Sequence, residues 1–154
     1  FSDFNVSQSE IEKAAHYAVV DKEIQSFSKG YQTPIGERGV TLSGGQKQRL
    51  SIARALCKQS DVLLFDDCLS AVDAKTEKLI LSNLHDFLKD KTAIIITHRV
   101  FGLLDFDKII VLEDGTIVEE GKHHELMALN GYYAELYRRQ QEGENDAQAL
   151  PVVN

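Results

Sequence analysis

Three short stretches of this chain carry residues equipped for chemistry. The run VLLFDD delivers Asp66 and Asp67 at the end of an apolar segment. At the carboxyl end of a strand in an open α/β sheet, where ligands sit, such an aspartate is a Mg²⁺ partner in phosphoryl transfer, usually through water. TAIIITH brings Thr97 and His98 to the corresponding end of a second apolar run, within reach of the same phosphate. TLSGGQKQRLSIARAL starts a helix at Ser43 yet places Gly44 and Gly45 in its first turn, where each glycine costs about 1 kcal/mol relative to alanine. A helix N-terminus offers unpaired N–H groups and the positive end of the dipole, a ready anion site. Glycine there lets a phosphate approach the backbone with no Cβ in the way. Taken singly, each stretch has a plainer account. Ser43 and Gln46 have capping-box spacing, a strand can simply end in polar residues, and a lone histidine is more often a satisfied side chain than a catalytic one. The combination is what points to phosphate.

The elements that must hold these residues read as strand, helix, strand. Val62 to Phe65 is a short apolar run, read as a buried strand, and TAIIITH is a second, rich in β-branched residues and ending at His98. Between them Asp73 caps a helix with Ile80, Leu84, Phe87 and Leu88 on one face. Strands apolar throughout imply a parallel βαβ unit with helices covering the sheet. Upstream, Ser7 and Glu10 have capping-box spacing before a helix marked by Ile11, Ala14, Ala15 and Ala18. A short helix from Asp21 to Phe27 follows, then the loop KGYQTPIGERG. Downstream, KIIVLEDGTIVEEG turns at Asp114-Gly115, a strong hairpin signal. Helices are expected from about Lys122 to Ala128 and from Gly131 to Gln141, and a disordered tail beyond Glu142. His123 and His124 read as solvated residues of a helix start, not as ligands.

The totals bound the class. The 154 residues suffice for one domain, with 43% hydrophobic and 27% charged residues, as in an ordinary globular protein. A formal net charge of −7 makes nucleic acid an unexpected partner. No apolar run reaches the ~20 residues of a membrane helix. Cys57 and Cys68 lack metal-ligand spacing and read as reduced cytosolic thiols. The chain opens in mid-pattern at Phe1, without an initiator methionine, as a piece of a longer chain would.

In their order along the chain these motifs resemble the ATP-binding cassette (ABC) ATPases. LSGGQ, Leu42 to Gln46, matches that family's signature motif letter for letter. VLLFDD resembles its Walker B strand, SAVD (Ser70 to Asp73) its D-loop, and ITHR (Ile96 to Arg99) the segment with its switch histidine. The similarity runs from Phe1 to about Gln141. The resemblance implies an α/β fold, part of a P-loop NTPase, with a parallel sheet core and a helical subdomain. Residues 1–58 would be the helical subdomain with the signature helix, 59–141 the C-terminal part of the catalytic core, and 142–154 the tail. It implies ATP and Mg²⁺. Two cassettes of this family face head to tail, so Ser43, Gly44, Gly45 and Gln46 would bind the nucleotide held by the partner cassette. Asp66 would help hold Mg²⁺, His98 would contact the γ-phosphate, and Asp73 would communicate across the dimer.

The chain departs from the family pattern twice. It contains no G-x-x-x-x-G-K-[ST] phosphate loop, whose strand normally neighbours the one ending in His98, so a central strand is missing. The usual catalytic glutamate is Asp67 here, its carboxylate retracted by one methylene, and a displacement of about 1 Å can cost on the order of 10²-fold in rate. TPIGERG, Thr33 to Gly39, is similar to the segment with which exporters touch the coupling helices of their membrane domain, and ALNGYYAELYRRQ is similar to their closing helix. The resemblance therefore implies the cytoplasmic ATPase part of a membrane exporter, paired with a second cassette in a heterodimer or a homodimer. The rival readings are an ABC ATPase without a transporter and a noncatalytic, regulatory cassette.

Overall fold

The computed structural model describes residues 6–36, 39–100 and 105–149. The order of elements is α1 (Gln8–Tyr17), α2 (Asp21–Ser26), a 3-10 turn (Gly30–Gln32), α3 (Gly44–Cys57), β1 (Val62–Asp66), α4 (Ala74–Leu88), β2 (Thr92–Ile96), β3 (Ile109–Glu113), β4 (Thr116–Gly121), α5 (His123–Leu129) and α6 (Tyr132–Ala149). The chain divides after Ile96 into two compact units. The helical stretch expected over 1–58 thus shares its unit with β1, α4 and β2. Among the described residues no helix is long and apolar enough to cross a membrane.

In the first unit the helices start where side chains can hold them. Ser7, Ser43 and Asp73 each accept a hydrogen bond from the third residue of the helix that follows. α1 packs against α3, with Ala14 and Ala15 buried. Arg49 ties α3 to the corner between α1 and α2: its guanidinium donates to the Val19 carbonyl at 2.5 Å and to Glu23 Oε1 at 2.9 Å. Asn83 of α4 donates to the Tyr17 carbonyl at the end of α1.

β1 and β2 pair in parallel, from Val62 opposite Thr92 to Asp66 opposite Ile96, as the strand–helix–strand pattern predicts. The expected double burial does not hold. Leu63 and Phe65 are buried, but Val62 and Leu64 are 60% and 62% exposed, and Ile94 and Ile96 of β2 lie bare on the same face. An apolar run reports two apolar faces, and only one of them is covered among the described residues. β2 also stops at Ile96 and not at His98. Its last carbonyl receives the Asp67 N–H, after which Thr97 Oγ1 accepts the Arg99 N–H and turns the chain.

In the second unit β3 and β4 form the expected antiparallel hairpin. Asp114 and Gly115 both have positive φ, 47° and 77°, as the two-residue turn requires. Glu119 of β4 accepts the first N–H groups of α6, those of Tyr132 and Tyr133. α6 runs on to Ala149, so residues 142–149 are helical where a disordered tail was expected. Gly143, at a cost of about 1 kcal/mol relative to alanine, does not end the helix. His123 is not a freely solvated residue: it is half-buried, with Nδ1 2.8 Å from the Tyr133 hydroxyl and its ring edge-on to Tyr133 and Tyr137. His124 is exposed, as expected.

Candidate functional site

The first turn of α3 is built by a complete capping box. Ser43 Oγ accepts the Gln46 N–H at 3.2 Å, and Gln46 Oε1 accepts the Ser43 N–H at 2.9 Å. Gly44 and Gly45 occupy the next two positions, whose N–H groups have no intrahelical partner. The turn carries no acidic side chain, so the positive end of the dipole is not neutralised from within.

The two glycines differ in what surrounds them. A Cβ on Gly44 would lie 3.5 Å from the Ala71 Cβ, an ordinary contact. A Cβ on Gly45 would lie 2.7 Å from the Ala71 carbonyl oxygen, which is backbone and cannot swing aside. Gly45 therefore has a packing reason to be glycine, in addition to any approach of phosphate. Gly44 has no such reason within the fold.

The second part of the site is the turn after β1. Asp66 closes the strand on its exposed face, and Asp67 follows in the left-handed region at φ 44°. Aspartate enters that region far more readily than most side chains. The Asp67 N–H donates to Ile96 and its carbonyl accepts from Ser70 Oγ. Both carboxylates are exposed. As oxygen donors at a strand end they suit Mg²⁺, which binds through one or two carboxylates together with substrate phosphates and water. No group of three or more candidate metal ligands occurs among the described residues.

Sequence reasoning missed the residue that joins these two parts. Gln48, one turn beyond Gly44, donates from Nε2 to Ser70 Oγ at 2.8 Å and to the Asp67 carbonyl at 3.3 Å. Its Oε1 accepts the Ala71 N–H at 2.8 Å. Its helical phase, three residues after Gly45 and four after Gly44, was the available signal.

Asp73 caps α4, and its carboxyl is held below the usual range by hydrogen bonds from the Thr76 backbone first of all. His98 is exposed and belongs to the second compact unit. The Thr33–Gly39 loop is pinched at its base, where Val40 donates to the Pro34 carbonyl and Gly39 to the Gly36 carbonyl; Glu37 and Arg38 lie outside the described residues. Burial pushes the Cys68 thiol, beside Asp67, up to about 11.

Comparison with known proteins agrees with this geometry. The family described as ABC transporter is matched by residues 3–70. The iron-sulfur clusters transporter atm1 of Aspergillus fumigatus mitochondria is 45% identical over 139 residues, covering 89% of this chain and 19% of that protein. A probable multidrug resistance ABC transporter ATP-binding/permease protein of Bacillus subtilis, YheI, is 47% identical over 137 residues, covering 89% of this chain and 23% of that protein. A solved structure of a bacterial Atm1-family ABC exporter with ATP bound superposes with a TM-score of 0.76 at 39% identity, over 97% of this chain and 25% of that one. This chain thus spans about a fifth to a quarter of the proteins it matches. With the ordered motifs and the parallel strand–helix–strand unit, these likenesses are to the ABC transporter family, and within it to the ATP-binding part of exporters.

Proposed function

We propose that this chain is the part of an exporter's nucleotide-binding domain that completes an ATP site formed with a second cassette, coupling ATP binding and hydrolysis to transport through a membrane domain. One observation carries the reading most directly: an uncharged, glycine-bearing helix start is locked beside a pair of exposed aspartates at the carboxyl end of a parallel strand. Ser43, Gly44, Gly45 and Gln46 would meet the terminal phosphate of ATP held by the partner cassette. Asp66 would hold Mg²⁺, which when bound supplies charge neutralisation to the phosphates. Asp67 would orient or deprotonate the attacking water, His98 would contact the γ-phosphate, and Asp73 would sit at the interface between cassettes. The Thr33–Gly39 loop would touch the coupling helices of the membrane domain, at the cytoplasmic face of the membrane.

A second reading is favoured by Asp67 itself. A shortened carboxylate beside an intact LSGGQ suits a heterodimer in which the signature serves the partner's site while the Asp67 site holds ATP and turns over slowly. ATP hydrolysis by the full-length protein, purified alone and with its partner cassette, tests both. Removal of the partner's catalytic glutamate is expected to stop turnover, with Asp67→Asn changing little. Brisk hydrolysis by the protein alone, cut hard by Asp67→Asn, would overturn the slow-site reading. No hydrolysis by either preparation would overturn the ATPase reading altogether.

A further inference from the structure

The junction between α3 and the turn after β1 contains a group with no role in the function proposed above. Gln48 is a half-buried amide that uses both ends on one short turn: Nε2 on Ser70 Oγ and the Asp67 carbonyl, Oε1 on the Ala71 N–H. The residues it spans are 19 to 23 positions away in the chain, so the bonds are tertiary and do not simply support α3. Asp67 sits at φ 44°, a conformation that persists when the surroundings over-determine it. Among the described residues its N–H is held by Ile96, and its carbonyl by Gln48 and by the hydroxyl and N–H of Ser70. On the helix side, the same turn presses the Ala71 carbonyl into the space left by the missing Cβ of Gly45.

We propose that Gln48 is a positioning residue that clamps the Asp67–Ala71 turn to the first turn of α3, so that the Asp67 carboxylate and the bare backbone of Gly44 and Gly45 move as one body. The proposal rests on the ATP-site reading for its kinetic consequence, but the clamp itself is a statement about this chain alone. A tether at the Asp67 carbonyl fixes the direction in which its Cα–Cβ bond leaves the turn. A tether at the Ala71 N–H fixes how closely the turn lies against Gly45. Both groups assigned to phosphate chemistry depend on it, so turnover should suffer whichever of the two ATP sites dominates.

The test is Gln48→Met in the full-length protein, which keeps side-chain length and helix propensity and removes both polar ends, with Gln48→Glu beside it. Gln48→Met is expected to lower kcat by between about ten- and a hundredfold, the scale of a misplacement near 1 Å, with the KM for ATP within about twofold because no nucleotide contact is removed. Amide hydrogen exchange at Ala71 should accelerate in Gln48→Met and be largely restored in Gln48→Glu, which keeps the acceptor, while exchange across the middle of α3 stays as in the unmodified protein. An unchanged kcat, a loss confined to KM, or undisturbed protection at Ala71 would each overturn the clamp. Should Gln48→Met not fold, Gln48→Glu decides alone: it keeps the Ala71 bond and loses the donor to the Asp67 carbonyl, so amide exchange across Asp67–Ser70 that stays as in the unmodified protein overturns the proposal. A full-length protein that hydrolyses no ATP would sink the function proposed above and leave the exchange measurement to judge the clamp.

Discussion

α1 and α3 begin with the same device and arrive at opposite electrostatics. At α1, Ser7 Oγ accepts the Glu10 N–H and Glu10 accepts the Ser7 N–H at 2.8 Å. At α3, Ser43 and Gln46 make the equivalent pair of bonds. Between the caps, however, α1 has Gln8-Ser9 and α3 has Gly44-Gly45. The hydrogen bonds from Ser7, its side chain first, hold the Glu10 carboxyl below its usual range, so α1 begins with a fixed negative charge. Gln46 closes its box without any charge. The capping box alone thus explains why a helix starts; neutrality and bare backbone separate a helix start that accepts an anion from one that has supplied its own.

The sharpest way to break this comparison is Gln46→Glu, which makes the α3 box equal in chemistry to that of α1. The cap should survive, since glutamate serves at that position, and thermal unfolding of the full-length protein should shift little. A carboxylate about 4 Å from a phosphate opposes it by a few kcal/mol at the effective permittivity near a protein surface. ATP turnover by the full-length protein is therefore expected to fall by about 10²-fold. Normal turnover would make α3 merely a second α1.

Next in size is the contrast between the glycines. Gly45→Ala drives a Cβ to 2.7 Å from the Ala71 carbonyl and should destabilise by about 1–3 kcal/mol, read in denaturant or thermal unfolding. Gly44→Ala meets only an ordinary contact and should be neutral, or stabilising by up to about 1 kcal/mol, while still lowering turnover if phosphate approaches that backbone. Equal stability losses at both positions would overturn the distinction.

The smallest effect concerns Cys68. Its thiol is pushed up to about 11 by burial, so the reactive thiolate is scarce at pH 8. Alkylation there should run on the order of 10²-fold slower than at an ordinary exposed thiol and speed up as pH rises toward that value. Gly45→Ala, by disturbing the adjoining turn, should accelerate labelling a few-fold. Ser7→Ala, which costs about 1 kcal/mol at the other helix start, should leave it unchanged.

Much of this fold could be read from residue types because the cues are local. Ser7, Ser43 and Asp73 cap within three residues of themselves, and Asp114-Gly115 turns the chain where it stands. The features that escaped depend on distant parts of the chain. Gln48 is marked in sequence only by its helical phase to Gly44 and Gly45, and its partners lie more than a dozen residues away. Gly45 was assigned wholly to phosphate because the Ala71 carbonyl beside it is set by the tertiary fold. The bonding of His123 to Tyr133 needs α5 and α6 side by side. Periodicity likewise told which residues of β1 and β2 are apolar but not how many faces would be covered.

That last feature has a practical consequence for anyone handling these 154 residues as a separate polypeptide. Val62, Leu64, Ile94 and Ile96 form an adhesive stripe across a two-stranded parallel ladder, and contiguous apolar surface beside open strand edges invites association between copies. Self-association will rise with concentration. Yields after refolding will depend on dilution, and mild detergent or a charge placed at Leu64 will act as a solubiliser.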